Sequence, residues 1–258
     1  MIISASDYEI FAEKGLMRIE GLIPDSVVAP ARELVYSRLA KAGLWRGGAW
    51  KGKGDETLKL EKTALKDISK SGVFKDLQTA DVLDIARQLV NGEEVRAEPH
   101  PSLLFTSTNA SKWVLPYGAW HLDLPRLGPL GAPGVQMFAF LDTVSAGGGG
   151  TLFVSGSHRL LNDKGFIRSR DLKTLLKEHA YFRDLMDKSI SDRNRFLSET
   201  HSVDDVPLQV VEITGAPGDV FFTDLRLLHA ISPNAQPNPR LMVTQRFPRE
   251  AVADHIYA

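Results

Sequence analysis

Trp120-His121-Leu122-Asp123 places an imidazole and a carboxylate two positions apart, and His229, far downstream, is followed eleven residues on by Arg240. Two histidines and one carboxylate can occupy one face of an iron(II) ion, leaving the opposite face open for a chelating co-substrate and dioxygen. An arginine beyond the second histidine would hold that co-substrate's far carboxylate, its planar fork meeting two oxygens at once. In a strand, residues two apart point to the same side, so His121 and Asp123 can reach one ion while Leu122 points away. His-x-Asp alone is a common surface tripeptide. The second histidine and the arginine give it weight.

The elements that must position these residues divide the chain in two. Ser6-Asp7-Tyr8-Glu9 fits a capping box that opens a short helix ending at Gly15, and a strand-like Leu16-Met17-Arg18-Ile19 follows. Pro24-Asp25-Ser26 opens a second helix, with Val27, Val28, Ala31, Leu34, Val35 and Leu39 at helical spacing and Gly43 as its stop. Leu44 to Gly54 interleaves Trp45 and Trp50 with Arg46, Lys51, Lys53 and glycines, a composition suited to a mobile loop that could cover a site. Ala64 to Val90 reads as helical, ending at Asn91-Gly92. From about Val95, short β-like runs recur between turn signals: Ser102 to Ser107, Gly134 to Leu141, Thr151 to Val154, Leu208 to Ile213, Val220 to Phe222 and Leu241 to Phe247. That spacing predicts a sandwich or jelly roll, with Ser169 to Lys188 as a helical insertion. Gly218-Asp219-Val220-Phe221-Phe222 reads as the turn and strand that deliver His229, and antiparallel neighbours would set Arg240 several ångströms beyond the ion.

Composition narrows the partners. Lys and Arg number 31 against 32 Asp and Glu, a formal charge of −1 that offers no global attraction to nucleic acid. The absence of cysteine removes thiolate metal sites, disulfides and a cysteine nucleophile, so any metal must be held by histidine and carboxylate. Met1 to Phe11 carries Asp7 and Glu9 where a signal peptide would begin basic and apolar, and no stretch approaches the roughly 18 apolar residues of a membrane span. The expectation is a cytoplasmic protein without a membrane partner. Residues 1–258 are expected to form one domain, with 1–94 a helical and strand elaboration, 95–248 the core and a helical insert at about 160–200.

The sequence resembles the phytanoyl-CoA dioxygenase-like branch of iron(II)/2-oxoglutarate oxygenases. The resemblance runs from Phe11 to Pro24 and the helix after it, through Trp-His-x-Asp and Gly150-Thr151-Leu152-Phe153-Val154-Ser155-Gly156-Ser157-His158, to the His229 to Arg240 segment. It implies a mainly β protein with flanking helices around a double-stranded β-helix, a jelly-roll relative of the cupins. It implies His121, Asp123 and His229 as ligands of Fe(II), Arg240 on the C5 carboxylate of 2-oxoglutarate, and Thr151 as an added hydroxyl contact. Ile231 stands where the family often has a hydroxyl-bearing residue, so a co-substrate contact made there must come from elsewhere. The reaction implied consumes O2 and 2-oxoglutarate, releases succinate and CO2, and hydroxylates a C–H bond of a small molecule. Related halogenases carry a small residue at the carboxylate position, so Asp123 favours oxygen transfer over halide transfer. Desaturation, cyclisation and epimerisation use the same ligand set and stay open. A jelly-roll protein that binds a ligand without redox chemistry is the alternative from another class.

The remaining candidates receive blander readings. His158 lies in the Gly-Ser-His turn and is taken as structural, while His100, His179, His201 and His255 have no spaced partners. Trp120 is as well suited to packing as to substrate contact. Arg126 and Arg226 are read as surface residues near the ligands in sequence. Arg246 shares a strand face with Arg240 and is a second carboxylate contact or a structural ion pair.

Overall fold

The computed structural model describes residues 3–52, 56–124, 126–127, 132–161 and 167–257. Helix α1 (Ala5–Lys14) starts two residues earlier than the Ser6 reading: Ser4 is the cap, its hydroxyl accepting from Asp7 N–H while the Asp7 carboxylate takes the Ser4 N–H. Gly15 ends it with φ +75. Helix α2 (Asp25–Lys41) buries Val28, Ala31, Val35 and Leu39 as the periodicity requires.

The next stretch departs from expectation twice. Leu44 to Gly54 holds a two-stranded hairpin pairing Trp45–Arg46 with Ala49–Trp50, turned by Gly47-Gly48 with both φ positive. That turn matches the twist of paired strands. Trp45 packs on Tyr36 at 4.2 Å between ring centroids and Trp50 lies 5.8 Å from Phe105, so the aromatics anchor the segment to the core. Lys53 and Gly54 lie outside the described residues. The helix expected over Ala64 to Val90 is broken into α3 (Glu56–Ala64), two 3-10 turns over Ile68–Lys70 and Gly72–Leu77, and α4 (Ala80–Leu89). Asp67 in the left-handed region and Ser71 in an extended conformation interrupt it, and Thr79 caps the last piece.

The strands of the two main sheets are β1 (Leu16–Ile19), β2 (Ser102–Thr106), β3 (Gly134–Phe140), β4 (Leu152–Ser155), β5 (His201–Val203), β6 (Val206–Glu212), β7 (Val220–Asp224), β8 (His229–Ala230) and β9 (Arg240–Pro248). They form a five-stranded sheet in the order β1-β7-β3-β9-β2 and a four-stranded sheet in the order β8-β4-β6-β5. The pairings are antiparallel throughout. Strand alternation sorts the side chains into layers. Val135, Met137, Ala139, Leu241 and Val243 face outward onto α2 and α4. Leu152, Val154, Leu208 and Val210 face outward onto α5 (Ser169–Leu176) and α6 (Ala180–Leu185), through Leu172, Leu176, Phe182 and Leu185. Phe138, Phe140, Phe153, Ile213 and Met242 fill the space between the sheets, with Phe138 edge-on to Phe153 at 5.2 Å. The helical insertion thus exists as α5, α6 and α7 (Arg195–Ser198) rather than one helix.

The α1 terminus is locked to the Gly-Ser-His turn. A Cβ on Gly15 would stand 2.5 Å from His158 Nδ1 and 2.7 Å from Leu227 Cδ1. Left-handed backbone costs a non-glycine residue about 1–2 kcal/mol, and overpacking adds about 1–3 kcal/mol. Gly15→Ala is therefore expected to lower unfolding free energy by about 2–5 kcal/mol in urea denaturation; a loss under about 1 kcal/mol would contradict this packing.

Candidate metal centre

His121 and His229 face each other through a reciprocal antiparallel bridge: His121 N–H donates to His229 O at 2.8 Å and His229 N–H to His121 O at 3.1 Å. Residues that exchange both backbone bonds present their side chains on one face, and the two rings lie 4.3 Å apart between centroids. No regular strand surrounds His121, but alternation holds locally, since Leu122 turns outward into the α5–α6 layer. Asp123 closes the set, with Oδ1 3.4 Å from His121 Nε2 and 3.6 Å from His229 Nε2. One donor atom from each of the three lies within 4.8 Å of the others, a group able to hold a metal ion.

The backbone fixes which ring nitrogens converge. His121 Nδ1 is 2.7 Å from Ala119 O and His229 Nδ1 is 3.0 Å from Leu227 O. A carbonyl oxygen only accepts, so each Nδ1 carries a proton and each Nε2 is the nitrogen turned to the centre, where its lone pair serves a metal ion once that nitrogen is deprotonated. Ala119 has φ +62, an uncommon conformation for alanine that turns its carbonyl toward the ring. The Gly-Ser-His turn braces the other histidine: Ser157 Oγ accepts from Leu228 N–H at 3.0 Å, and Leu228 O accepts from Val154 N–H at 2.8 Å.

Asp123 is held by Gln136, which the sequence reading did not single out, and by Arg246, which it did. Gln136 on β3 donates to Asp123 Oδ2 at 2.8 Å and to Thr244 Oγ1 at 2.9 Å. Arg246 donates to the Asp123 carbonyl at 3.1 Å and pairs with Glu98 at 2.9 Å, which settles it as a structural ion pair. Burial pushes the Asp123 carboxyl up, but hydrogen bonds from His121 and His229, with the charge of His229 and the Gln136 amide, outweigh it and hold the group well below the usual carboxylate range. The hydrogen bond to Asp123 raises the His121 imidazole above its ordinary value, against the opposing effect of burial. His121 is the most exposed of the three side chains, 41% against 28% for Asp123 and 8% for His229.

Arg240 does not come from a neighbour of the His229 strand. It begins β9 in the five-stranded sheet, whereas His229 lies in the four-stranded sheet, so the guanidinium reaches the interior from the facing wall. There Arg240 Nη1 is 3.4 Å from Thr151 Oγ1, and Arg240 Nε is buried without a partner. Burial pushes the group down to about 10, with Glu212 working in the opposite direction, so it remains a cation at neutral pH. Among the described residues no carboxylate lies within 4 Å of it. A buried charge left so poorly paired is costly, and an incoming carboxylate would relieve it.

The other candidates sort by burial and partner. His158 is structural as expected, its Nε2 3.1 Å from Ala12 O. Trp120 is fully buried and donates to Pro116 O at 3.2 Å, a core residue. Arg226 is not on the surface: it forms a buried ion pair with Asp224 at 2.7 Å, in the turn that leads from β7 to His229. The Arg126 side chain lies outside the described residues. His100 and His255 are exposed. His179 and His201 line a cavity of about 570 Å³ beside β5, at the opposite edge of the four-stranded sheet from His229, and take no part in the cluster.

The chain belongs to the phytanoyl-CoA dioxygenase (PhyH) family, whose profile matches residues 11–242. It is by family a non-haem iron, 2-oxoglutarate-dependent oxygenase. AviO1 from Streptomyces viridochromogenes Tue57 superimposes with a TM-score of 0.61 at 20% identity, over 97% of this chain and 97% of its own. HygX from Streptomyces hygroscopicus, solved with nickel and 2-oxoglutarate bound, gives a TM-score of 0.56 at 16% identity, over 96% of this chain and 88% of its own. The non-heme alpha ketoglutarate dependent carbocyclase SnoK from nogalamycin biosynthesis gives 0.53 at 16% identity, over 95% and 84%. At these identities the likeness carries the fold. No curated protein sequence matches the chain. No described helix is long and apolar enough to cross a membrane.

Removing the Gln136 support should loosen the cluster. Loss of such an outer hydrogen bond typically costs about 10–100-fold in metal affinity, so Gln136→Leu is expected to weaken nickel(II) binding by at least tenfold in calorimetric titration; unchanged affinity would show that Asp123 needs no such brace. Affinity of the unaltered protein is expected to fall as pH drops through the raised His121 pKa, because the proton there competes for the same Nε2 lone pair.

Proposed function

We propose that this protein hydroxylates an unactivated C–H bond of a small molecule, using iron(II), 2-oxoglutarate and O2 and releasing succinate and CO2. The observation that carries the reading is the pairing of a convergent His121, Asp123 and His229 with a buried Arg240 that has no carboxylate within 4 Å among the described residues. In this reading the three side chains hold iron(II), and Arg240 takes the far carboxylate of 2-oxoglutarate with the Thr151 hydroxyl beside it. The two packed sheets are read as a double-stranded β-helix core within one domain, 1–258. The residues present fit both groups: two neutral imidazoles and a carboxylate suit the ion, and a rigid guanidinium fork suits a carboxylate.

Bound together, iron and 2-oxoglutarate would supply the oxidising chemistry. The chain's own residues bind, orient and shield. The reciprocal bridge holds the two Nε2 atoms, Gln136 holds Asp123, and the phenylalanines between the sheets keep water from the closed side. Ile231, 58% exposed and two residues beyond His229, offers no hydroxyl, which leaves Thr151 as the hydroxyl near Arg240. The exposed edge of His121 marks the side from which the prime substrate approaches. Asp123 fills the carboxylate position, which favours oxygen transfer over halide transfer. Cyclisation is the second reading, favoured by the likeness to a carbocyclase; it and epimerisation need the same ligands and differ only in how the substrate is held.

Succinate formation from 2-oxoglutarate by anaerobically loaded iron protein tests the reading. His121→Ala and Asp123→Ala are expected to abolish iron binding and turnover. Arg240→Leu removes a charge-assisted contact of about 1.5–3 kcal/mol, so the KM for 2-oxoglutarate should rise on the order of tenfold to a hundredfold. An unchanged KM would remove Arg240 from the co-substrate site.

A further inference from the structure

Between α6, α7 and the β5–β6 hairpin lies the cavity of about 570 Å³ at the edge of the four-stranded sheet opposite His229. It shares no residue with the metal cluster. Its inner wall is aromatic: the Tyr181 ring lies 5.4 Å from Phe196 and 5.3 Å from His201 between centroids, and Tyr181 and Phe196 are 7% and 1% exposed. Its rim is polar. Asp204 and Asp205 make the β5–β6 turn with positive φ, a conformation aspartate tolerates, and Asp204 Oδ2 stands 3.8 Å from His179 Nε2.

Three polar atoms here have no hydrogen-bond partner among the described residues: the Tyr181 hydroxyl, His201 Nε2 and Arg195 Nε. Each belongs to a side chain that lines the cavity. Folded proteins leave few buried polar groups unsatisfied, because each forfeits its hydration without return, so three around one cavity call for a common cause. Burial pushes the Tyr181 phenol up with nothing offsetting it. Arg195 is otherwise engaged, its Nη2 pairing with Asp184 at 2.6 Å and its Cζ lying 4.9 Å from the centroid of the Phe196 ring. The Nε–H is left over.

The roles of these atoms narrow the ligand. Arg195 Nε only donates, the Tyr181 hydroxyl donates or accepts, and His201 Nε2 does either according to its tautomer. An alkylammonium ion has no acceptor to offer Arg195 Nε. Besides the two imidazoles, three carboxylates and one guanidinium line the cavity, which gives an anion no net attraction. Neutral hydroxyls meet all three atoms, and the apolar faces of Tyr181 and Phe196 can take the C–H side of the ring that carries them.

We propose that this cavity binds a neutral, polyhydroxylated ring of the carbohydrate class, at a site separate from the metal cluster and independent of the oxygenase reading. Arg195 Nε donates to one oxygen of the ring, Tyr181 and His201 engage further hydroxyls, and the aromatic wall covers one face.

Saturation-transfer NMR on the full chain tests it, with the methyl glycosides of glucose, galactose and mannose set against glucuronate and cyclohexylammonium. At least one glycoside is expected to receive saturation and to bind more tightly than either ion by about threefold or more. Tyr181→Phe separates a binding role from a packing role, since it removes the hydroxyl and keeps the ring. Without ligand it should hold or raise the urea midpoint, because an unsatisfied group is lost. With ligand it should weaken the glycoside by about two- to tenfold, and His201→Phe should do the same. Binding should not change with nickel(II) or with Asp123→Ala. Silence of all three glycosides, preference for either ion, binding that survives both substitutions, or dependence on nickel(II) would overturn the proposal. So would a lowered urea midpoint of unliganded Tyr181→Phe, since the hydroxyl would then be satisfied within the fold.

Discussion

Two backbone hydrogen bonds between His121 and His229 are the constraint on which the rest of the site depends. They are local in space and distant in sequence, so they join segments that only the tertiary fold brings together. Everything around them serves that pairing. β4 flanks His229 on its other side, Ser157 and Val154 hold Leu228, and the buried Asp224–Arg226 pair shapes the turn that brings the chain back to His229. Because the carbonyls of Ala119 and Leu227 take the Nδ1 protons, the same backbone that places the rings also selects their tautomer. A metal-ligand set built this way needs little side-chain searching, which lowers the entropy lost on binding an ion.

The two sheets contribute unequally. The four-stranded sheet and its bridge supply both histidines, while the five-stranded sheet supplies Gln136, Thr244 and Arg246 around Asp123 and, farther along β9, Arg240. Alternation makes this economical: on β9, residues 240, 242, 244 and 246 face the interior, while Leu241 and Val243 anchor the sheet to α2 and α4. One strand thereby supports the carboxylate ligand at one end and presents a guanidinium at the other. Its position against the helices is set by residues that touch neither.

The candidate ligands were more legible in the sequence than their setting. His121, Asp123 and His229 converge as their types and the local alternation around Leu122 suggest, while Arg240 and Thr151 meet across the two sheets. The β-like runs from Ser102 to Phe247 appear as strands within one or two residues, since period-two burial on a two-layer core leaves a strong pattern. The misreadings share a cause in tertiary contact. Arg226 looks like a surface cation until Asp224 is found to bury it, and Trp45 and Trp50 look like loop residues until Tyr36 and Phe105 are found beneath them. Gln136 carries no signal at all, because an amide inside an apolar strand run becomes meaningful only when Asp123 stands opposite. The break near Ser71 and Gly72 is marked in the sequence by a glycine that the helical reading of Ala64 to Val90 passed over.

Arg240 is desolvated and fixed by a sheet, with no carboxylate within 4 Å of it among the described residues, so it favours one geometry of one incoming carboxylate and penalises misfit steeply. It lies on the strand whose register also supports Asp123, through Thr244 and Gln136 and through Arg246, so a change there would disturb the whole cluster.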